Sequence, residues 1–212
     1  MDKAERIRNE KLGAGLIKAL SLRHFDAYYC ASASEAAEKI LSLIPQTDVV
    51  SWGGSVTMEA LGVIDRVKKG GWRVIDRSTA QSQEEKIEIM RRALLCDTYL
   101  TGANAISEDG EIVNVDGNGN RVAAMTFGPK SVIVACGMNK VVKTAEDATS
   151  RARNTAAPVN AQRFDIRTPC KTTGSCADCK STDSICSYIV RTRLCKPAGR
   201  IKVVLVGETL GF

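Results

Sequence analysis

The sequence predicts an α/β fold: a mostly parallel sheet flanked by helices, with a cysteine-rich loop inserted before the last strand. Three observations carry that reading. Short apolar runs alternate with stretches whose apolar residues recur at three and four, the pattern of strands alternating with covering helices. Glycines stand where a strand turns into a helix, as in Trp52-Gly53-Gly54-Ser55. Finally, Ile201–Gly207 reads as a sheet strand although it follows the cysteine segment, so that segment decorates a crossover and is not a detachable C-terminal domain.

Residues 2–22 read as a helix, with Leu12, Leu16, Ile17 and Leu20 forming its stripe. His24–Cys30 reads as a short strand. Ser32 or Ser34 caps the next helix, in which Ala36, Ala37, Ile40, Leu41 and Ile44 recur at helical spacing before Pro45 closes it. Asp48–Trp52 is a strand, and Gly53-Gly54-Ser55 turns it into one helix carrying Val56, Ala60, Leu61, Ile64 and Val67, closed by Gly70-Gly71. Trp72–Ile75 is a strand, residues 82–95 a helix and Asp97–Thr101 a strand. The pattern then changes. Asp109-Gly110 between Asn104–Ser107 and Glu111–Val115 signals a hairpin, and Asp116–Asn120 a second turn. Ser131–Gly137 is a buried strand. Residues 144–157 are a helix whose Ala145, Ala148, Ala152 and Ala156 suit close packing. With no repeat, low-complexity tract or linker, residues 1–212 read as a single domain, and residues 165–195 as a cysteine-rich insertion within it.

Composition narrows the function classes. Hydrophobic content of 44% supports a full core. The net charge of +6 is a mild excess of scattered basic residues, and the few aromatics form no base-stacking pattern, so nucleic acid is not an expected partner. The start, Met1-Asp2-Lys3-Ala4-Glu5-Arg6, is charged and has no apolar stretch of a secretory signal. No apolar run approaches the roughly 18 residues that span a bilayer. The expectation is a cytoplasmic protein without membrane insertion, whose thiols stay reduced.

Half of the eight cysteines fall between Cys170 and Cys186, as Cys170, Cys176, Cys179 and Cys186 in a C-x5-C-x2-C-x6-C spacing. The segment is Thr, Ser, Asp, Lys and Gly around a single Ile185, with no apolar face on which these could be core cysteines. Structural zinc sites usually pair two short knuckles, and only Cys176 and Cys179 form one. Iron–sulfur clusters take thiolates from irregular loops, and Gly174, Ser175 and Ala177 let backbone wrap closely. The expected cofactor is a [4Fe–4S] cluster, with zinc as the alternative and an unmetallated redox dithiol behind both. Cys30, Cys96 and Cys136 read as core thiols, and Cys195 is left outside the set. His24, the sole histidine, makes His-dependent triads and His-rich metal sites hard to build.

A second signal lies at the strand ends. Gly53 and Gly54 let backbone approach a ligand, Ser55 and Thr57 add hydroxyls, and Glu59 stands one turn on. The competing readings are a tight turn with Ser55 as N-cap and Glu59 as a helix-dipole residue. Thr101 and Asn104 follow a strand, where open α/β sheets bind ligands, though Asn104 also suits an Asx-turn. Asn118, Gly119 and Asn120 suit a turn, beside which Arg121 could grip an anion. Lys140 follows strand 131–136, where a plain surface lysine is the competing reading. Together these suggest a cleft for a small anionic ligand, carboxylate or phosphate.

The run from Thr101-Gly-Ala-Asn104 through Asp109-Gly110 and Val113-Asn-Val-Asp-Gly-Asn-Gly-Asn-Arg121, with Phe127-Gly-Pro129 and Gly137-Met-Asn-Lys140, resembles the LUD-domain family, the lactate-utilisation proteins of the LutC/YkgG kind. Gly53-Gly54-Ser55-x-Thr57 and the closing Val206–Phe212 look like that family too, and the likeness covers roughly residues 5–212. It implies a fold like that of ribose-phosphate isomerase, glucosamine-phosphate deaminase and CoA transferases (NagB/RpiA/CoA-transferase-like). It also implies a part in oxidising lactate to pyruvate, with redox partner subunits in an iron–sulfur-dependent system. On this reading the chain is an accessory or redox subunit. The alternative is a small-molecule enzyme of the isomerase or CoA-transferase type, with structural cysteines and with Glu59 or Lys140 doing proton or acyl chemistry.

Overall fold

The apolar runs marked as strands assemble into two sheets in the computed structural model, which describes residues 2–212. In chain order the strands are β1 (Asp26–Cys30), β2 (Val49–Trp52), β3 (Arg73–Ile75), β4 (Thr98–Gly102), β5 (Ala105–Ser107), β6 (Ile112–Asp116), β7 (Ser131–Gly137), β8 (Val141–Val142), β9 (Tyr188–Thr192) and β10 (Ile201–Val206). The helices are α1 (Lys3–Leu22), α2 (Ala33–Ser42), α3 (Val56–Ala60), α4 (Val63–Lys69), α5 (Gln83–Arg92), α6 (Asn120–Thr126), α7 (Ala145–Arg151), α8 (Ala157–Ala161) and α9 (Pro169–Thr173). The main sheet has the order β1-β10-β7-β4-β2-β3 and every pair in it is parallel. The last strand thus lies inside the main sheet, between β1 and β7.

Side-chain alternation along the central strands divides the core into two layers. Val132, Val134 and Cys136 of β7 and Val203 and Leu205 of β10 face Leu16 and Leu20 of α1. Ile133, Ala135, Val204 and Val206 face Ala36, Ala37 and Ile40 of α2 and Val63 and Val67 of α4. Because the strands are parallel, their carboxyl ends at Trp52, Gly102, Gly137 and Val206 share one edge.

The second sheet, β8-β5-β6-β9, grows from that edge. Asp109-Gly110 makes the expected hairpin turn between β5 and β6, and β9 pairs antiparallel with β6 from Ile112↔Thr192 to Asp116↔Tyr188. A third apolar layer joins Ala105, Val113 and Val115 to Ala148, Ala152 and Ala157, so the alanine stripe packs helix directly on this sheet.

Three helical expectations are corrected and two further elements appear. The helix expected across Val56–Val67 breaks into α3 and α4, because Gly62 takes a left-handed φ of 65° that a helix interior excludes. Residues 82–95 end as α5 at Arg92 followed by a 3₁₀ turn at Ala93–Leu95. The helix from Ala145 runs on to Ala161 through a π turn at Ala152–Ala156. Residues 188–192, read as part of the cysteine insertion, are a strand, and α6 follows directly on the Asp116–Asn120 turn.

One charge network ties the second sheet to the end of α1. Arg23, just past α1, pairs with Asp109 in the hairpin turn and with the buried Glu111 at 3.2 Å, and Glu111 also pairs with Arg191 of β9. The hydrogen bond from Arg191 holds the Glu111 carboxyl below the usual glutamate range. A lowered carboxylate value stabilises the fold above the unfolded value of about 4.3, and that contribution disappears as pH falls through the lower native value. Glu111→Gln is expected to lose about 1–3 kcal/mol at neutral pH, discounted for the half-exposed Arg191. Urea midpoints of the variant and the parent should converge on acidification below about pH 4.

Candidate functional site

The shared carboxyl edge is where the chain's unbalanced charge collects. Gly102 ends β4, Gly54 and Ser55 follow β2, and Lys140 follows β7; with Thr57, Asn104, Arg121, Asn160, Arg163 and Phe212 they line a small inner cavity of about 70 Å³. Lys140 is only 3% exposed, which overturns the surface-lysine reading. Its Nζ donates to Thr57 Oγ1 at 2.8 Å and to the Ala103 carbonyl at 3.3 Å, and it forms no ion pair among the described residues. Burial pulls the Lys140 amine below its ordinary value; Cys136 opposes that, and the Arg151 and Arg121 charges add to it.

Arg121 is held in place from several sides. Its guanidinium donates to Asn114 Oδ1 at 2.6 Å, Gly102 O at 3.2 Å, Asn104 Oδ1 at 3.4 Å and the Val115 carbonyl, with Asp116 at 3.6 Å. Asp116 also accepts backbone N–H groups from Asn118, Gly119, Arg121 and Val122, which shapes the turn into α6. Arg151 donates to the Asn104 carbonyl at 2.6 Å.

The expected residues separate on inspection. Gly54, Ser55, Thr57, Asn104 and Lys140 line the inner cavity together. Ser55 is also the N-cap of α3, its Oγ accepting the Met58 N–H at 3.2 Å. Gly53 and Glu59 line a neighbouring cavity with Trp52 and Lys68, and Glu59 lies 3.6 Å from Arg163. Thr101 is buried and donates to Gly102 O, outside the cavity lining. Asn120, at the start of α6, lines an outer cleft that continues from Gly54, Arg121, Asn160 and Arg163. The sequence reading missed Arg77, Asn160, Arg163 and Phe212 in these walls. Arg77 was reachable by the strand-end rule, since it lies two residues past β3.

Cys170, Cys176, Cys179 and Cys186 line one cavity with Arg153, Ala157, Pro158 and Ile185. Burial, then the neighbouring Cys170, Cys176 and Cys179, push the Cys186 thiol up to about 11. Asp178, the one carboxylate in the wall, is paired with Arg153. The donor chemistry therefore fits a thiolate-held centre. Among the described residues no three His, Cys, Asp or Glu side chains form a group set to hold a single metal ion. Cys30, Cys96, Cys136 and Cys195 are buried elsewhere.

The two cavities are neighbours. Ser184 and Ile185 line both the cysteine cavity and the outer cleft. A Cβ on Gly117 would stand 3.2 Å from the Ile185 backbone, so the loop lies directly on the β6–α6 turn.

Residues 14–206 match the LUD domain family. The chain belongs to that family. No curated protein matches it. Among solved structures, a DUF162 family protein from Deinococcus radiodurans is similar at 15% identity and TM-score 0.54, covering 93% of this chain and 97% of that one. Ribose 5 phosphate isomerase A from Neisseria gonorrhoeae (16% identity, TM-score 0.35, 52% of each chain) and translation initiation factor eIF-2B from Pyrococcus horikoshii OT3 (18%, 0.36, 55% of this chain and 50% of that one) are similar over about half their lengths. The likeness to the DUF162 protein is one of fold and spans nearly all of this LUD domain. No helix among the described residues is long and apolar enough to cross a membrane.

The buried amine gives this LUD domain a measurable signature. Binding of a small anion at this edge, followed by calorimetry, should weaken as pH rises through the lowered Lys140 value, below the ordinary lysine value of about 10.4. Lys140→Met should abolish that binding while keeping stability within about 1 kcal/mol, since an uncompensated buried charge is removed.

Proposed function

We infer that the chain has a role connected with lactate utilisation in general, which its membership of the LUD-domain family supports. We propose that this chain is an accessory or redox subunit of such a system, in which Cys170, Cys176, Cys179 and Cys186 hold a [4Fe–4S] cluster beside a cleft for a small carboxylate. The observation that carries the reading is the wall at Ser184 and Ile185, which the cysteine cavity and the cationic cleft share. A [4Fe–4S] cluster, when bound, supplies one-electron transfer.

The chain's own residues bind and orient. Lys140 and Arg121 supply positive charge for a carboxylate, and Thr57 and Asn104 offer polar contacts for a hydroxyl or carbonyl oxygen. Oxidation of a 2-hydroxy acid to its 2-oxo acid releases two electrons and two protons. A one-electron relay does not complete that step alone, which supports an accessory role with redox partner subunits. Lys140, surrounded by Thr57 and a carbonyl, holds a proton facing the ligand rather than removing one from carbon.

The decisive measurement is metal and sulfide content after anaerobic purification. A brown protein with about four irons and four sulfides per chain is expected, and Cys176→Ser should lose both colour and iron. A colourless chain holding one zinc and no sulfide would replace the cluster with a structural zinc site; a chain with neither would remove the redox reading altogether.

A further inference from the structure

The inner cavity is too small to be the whole ligand site, and the outer cleft continues it. The two share Gly54, Val115, Arg121, Asn160 and Arg163. The outer cleft encloses about 670 Å³ against about 70 Å³ inside, so the combined space lies within the range of small-molecule sites. A three-carbon acid anchored at Lys140 would leave most of it to water.

The outer cleft carries its own cation. Arg77 forms no ion pair among the described residues; the one hydrogen-bonding contact of its side chain is Nη1 to the Met90 sulfur at 3.8 Å. The guanidinium lies over Gly54, where a Cβ would stand 2.8 Å from Nη2. Arg163 lines both cavities, with the loosely held Glu59 at 3.6 Å as its partner. The Arg77 charge also disfavours that of Arg121, so two like charges face each other at the mouth of the cavity. Of the three acids lining the cleft, Asp116 is engaged with Arg121 and four backbone N–H groups and Asp183 with Arg167 and the Arg167 N–H, while Asp165 pairs with no cation among the described residues. None of these acids, nor Asp76 beside it, which pairs with Lys68, forms an ion pair with Arg77 among the described residues.

We infer that the site takes a dianion, with one anionic group seated at Lys140 and Arg121 and a second, carboxylate or phosphate, at Arg77 over Gly54. The inference rests on the anion-cleft reading above and narrows its substrate class to a 2-hydroxy or 2-oxo acid bearing a second acidic group. The Gly54 position then has a physical reason, because any side chain there would fill the seat beside the Arg77 guanidinium.

Calorimetric titration of the anaerobically prepared full chain with lactate, malate and 3-phosphoglycerate tests this. Malate keeps the 2-hydroxy acid head of lactate and adds a carboxylate; 3-phosphoglycerate keeps it and adds a phosphate. At least one dianion should bind about tenfold or more tighter than lactate, the advantage of one added charge-assisted contact. The tighter of the two identifies the second group. Arg77→Ala should collapse the dianion-to-lactate affinity ratio towards one, and Arg77→Lys should restore part of it. A parental ratio near one, or a ratio preserved in Arg77→Ala, overturns the inference. In either case lactate binding that Lys140→Met abolishes would leave the anion cleft standing. No binding of any of the three anions would remove the cleft reading and this inference together.

Discussion

The arrangement depends on one backbone ladder, the antiparallel pairing of β9 with β6. Its register ends at Asp116↔Tyr188. Cys186 lies two residues before Tyr188, and Gly117 directly follows Asp116, so the ladder delivers the last cysteine to the turn that opens α6. The same turn carries Asp116 and Arg121, which shape the cleft. A single set of main-chain hydrogen bonds therefore positions both cavities, and a one-residue slip would exchange the faces of β9 and pull the cysteine loop from its wall. The Arg23–Glu111–Arg191 network sits at the opposite end of that ladder, by Ile112↔Thr192, and pins it to α1.

The charge distribution at the sheet edge is costly for a chain that needs only to fold. Lys140, Arg121 and Arg151 converge there, with Asp116 as the one nearby carboxylate tied to Arg121. Their partners are mainly neutral: carbonyls of Ala103, Gly102, Val115 and Asn104, and the Thr57 hydroxyl. Neutral dipoles orient a cation and offset part of its desolvation, but they leave its net charge in place. An apolar residue at Lys140 would fold as well or better by that reasoning. The chain's retention of the amine beside a cavity is the kind of expense that functional sites carry.

Much of this was legible in the sequence, and the failures have physical causes. The central strands, the hairpin at Asp109-Gly110 and the return of Ile201–Val206 to the main sheet follow from apolar runs and turn chemistry, which act locally. Gly54, Ser55, Thr57, Asn104 and Lys140 come together in one cavity wall because parallel strands place their carboxyl ends on one edge. The competing surface reading of Lys140 failed. Its burial arises from the 3₁₀ turn at Met138–Lys140 and from the residues after β10, with Leu210 and Gly211 bonding Asn139, contacts that no local pattern carries. Likewise β9 is half exposed and lacks a clean alternation, so its pairing is visible only once β6 is in place. Asn160 and Arg163 escaped notice because the π turn carries the helix past its expected end.

Electrostatics links the cysteine cavity to the cleft in the proposed reading. Four thiolates around an iron–sulfur core leave a net negative centre, and a bound carboxylate adds another negative charge across the Ile185 wall. Two unit charges ten ångströms apart interact by about 1–2 kcal/mol at an effective dielectric of 20. Cations between or beside them reduce that repulsion, and they are present on both sides: Arg153 lines the cysteine cavity, and Arg121 and Arg163 line the cleft. Arg153 is itself turned towards Asp178, which limits how much charge it offers to the sulfurs. The cleft cations are thus the larger compensating group. An anionic ligand that consumes their charge would disfavour reduction of the centre, and loss of the ligand would favour it. On the proposed reading, ligand occupancy and electron affinity would be coupled by geometry alone, with no moving part required.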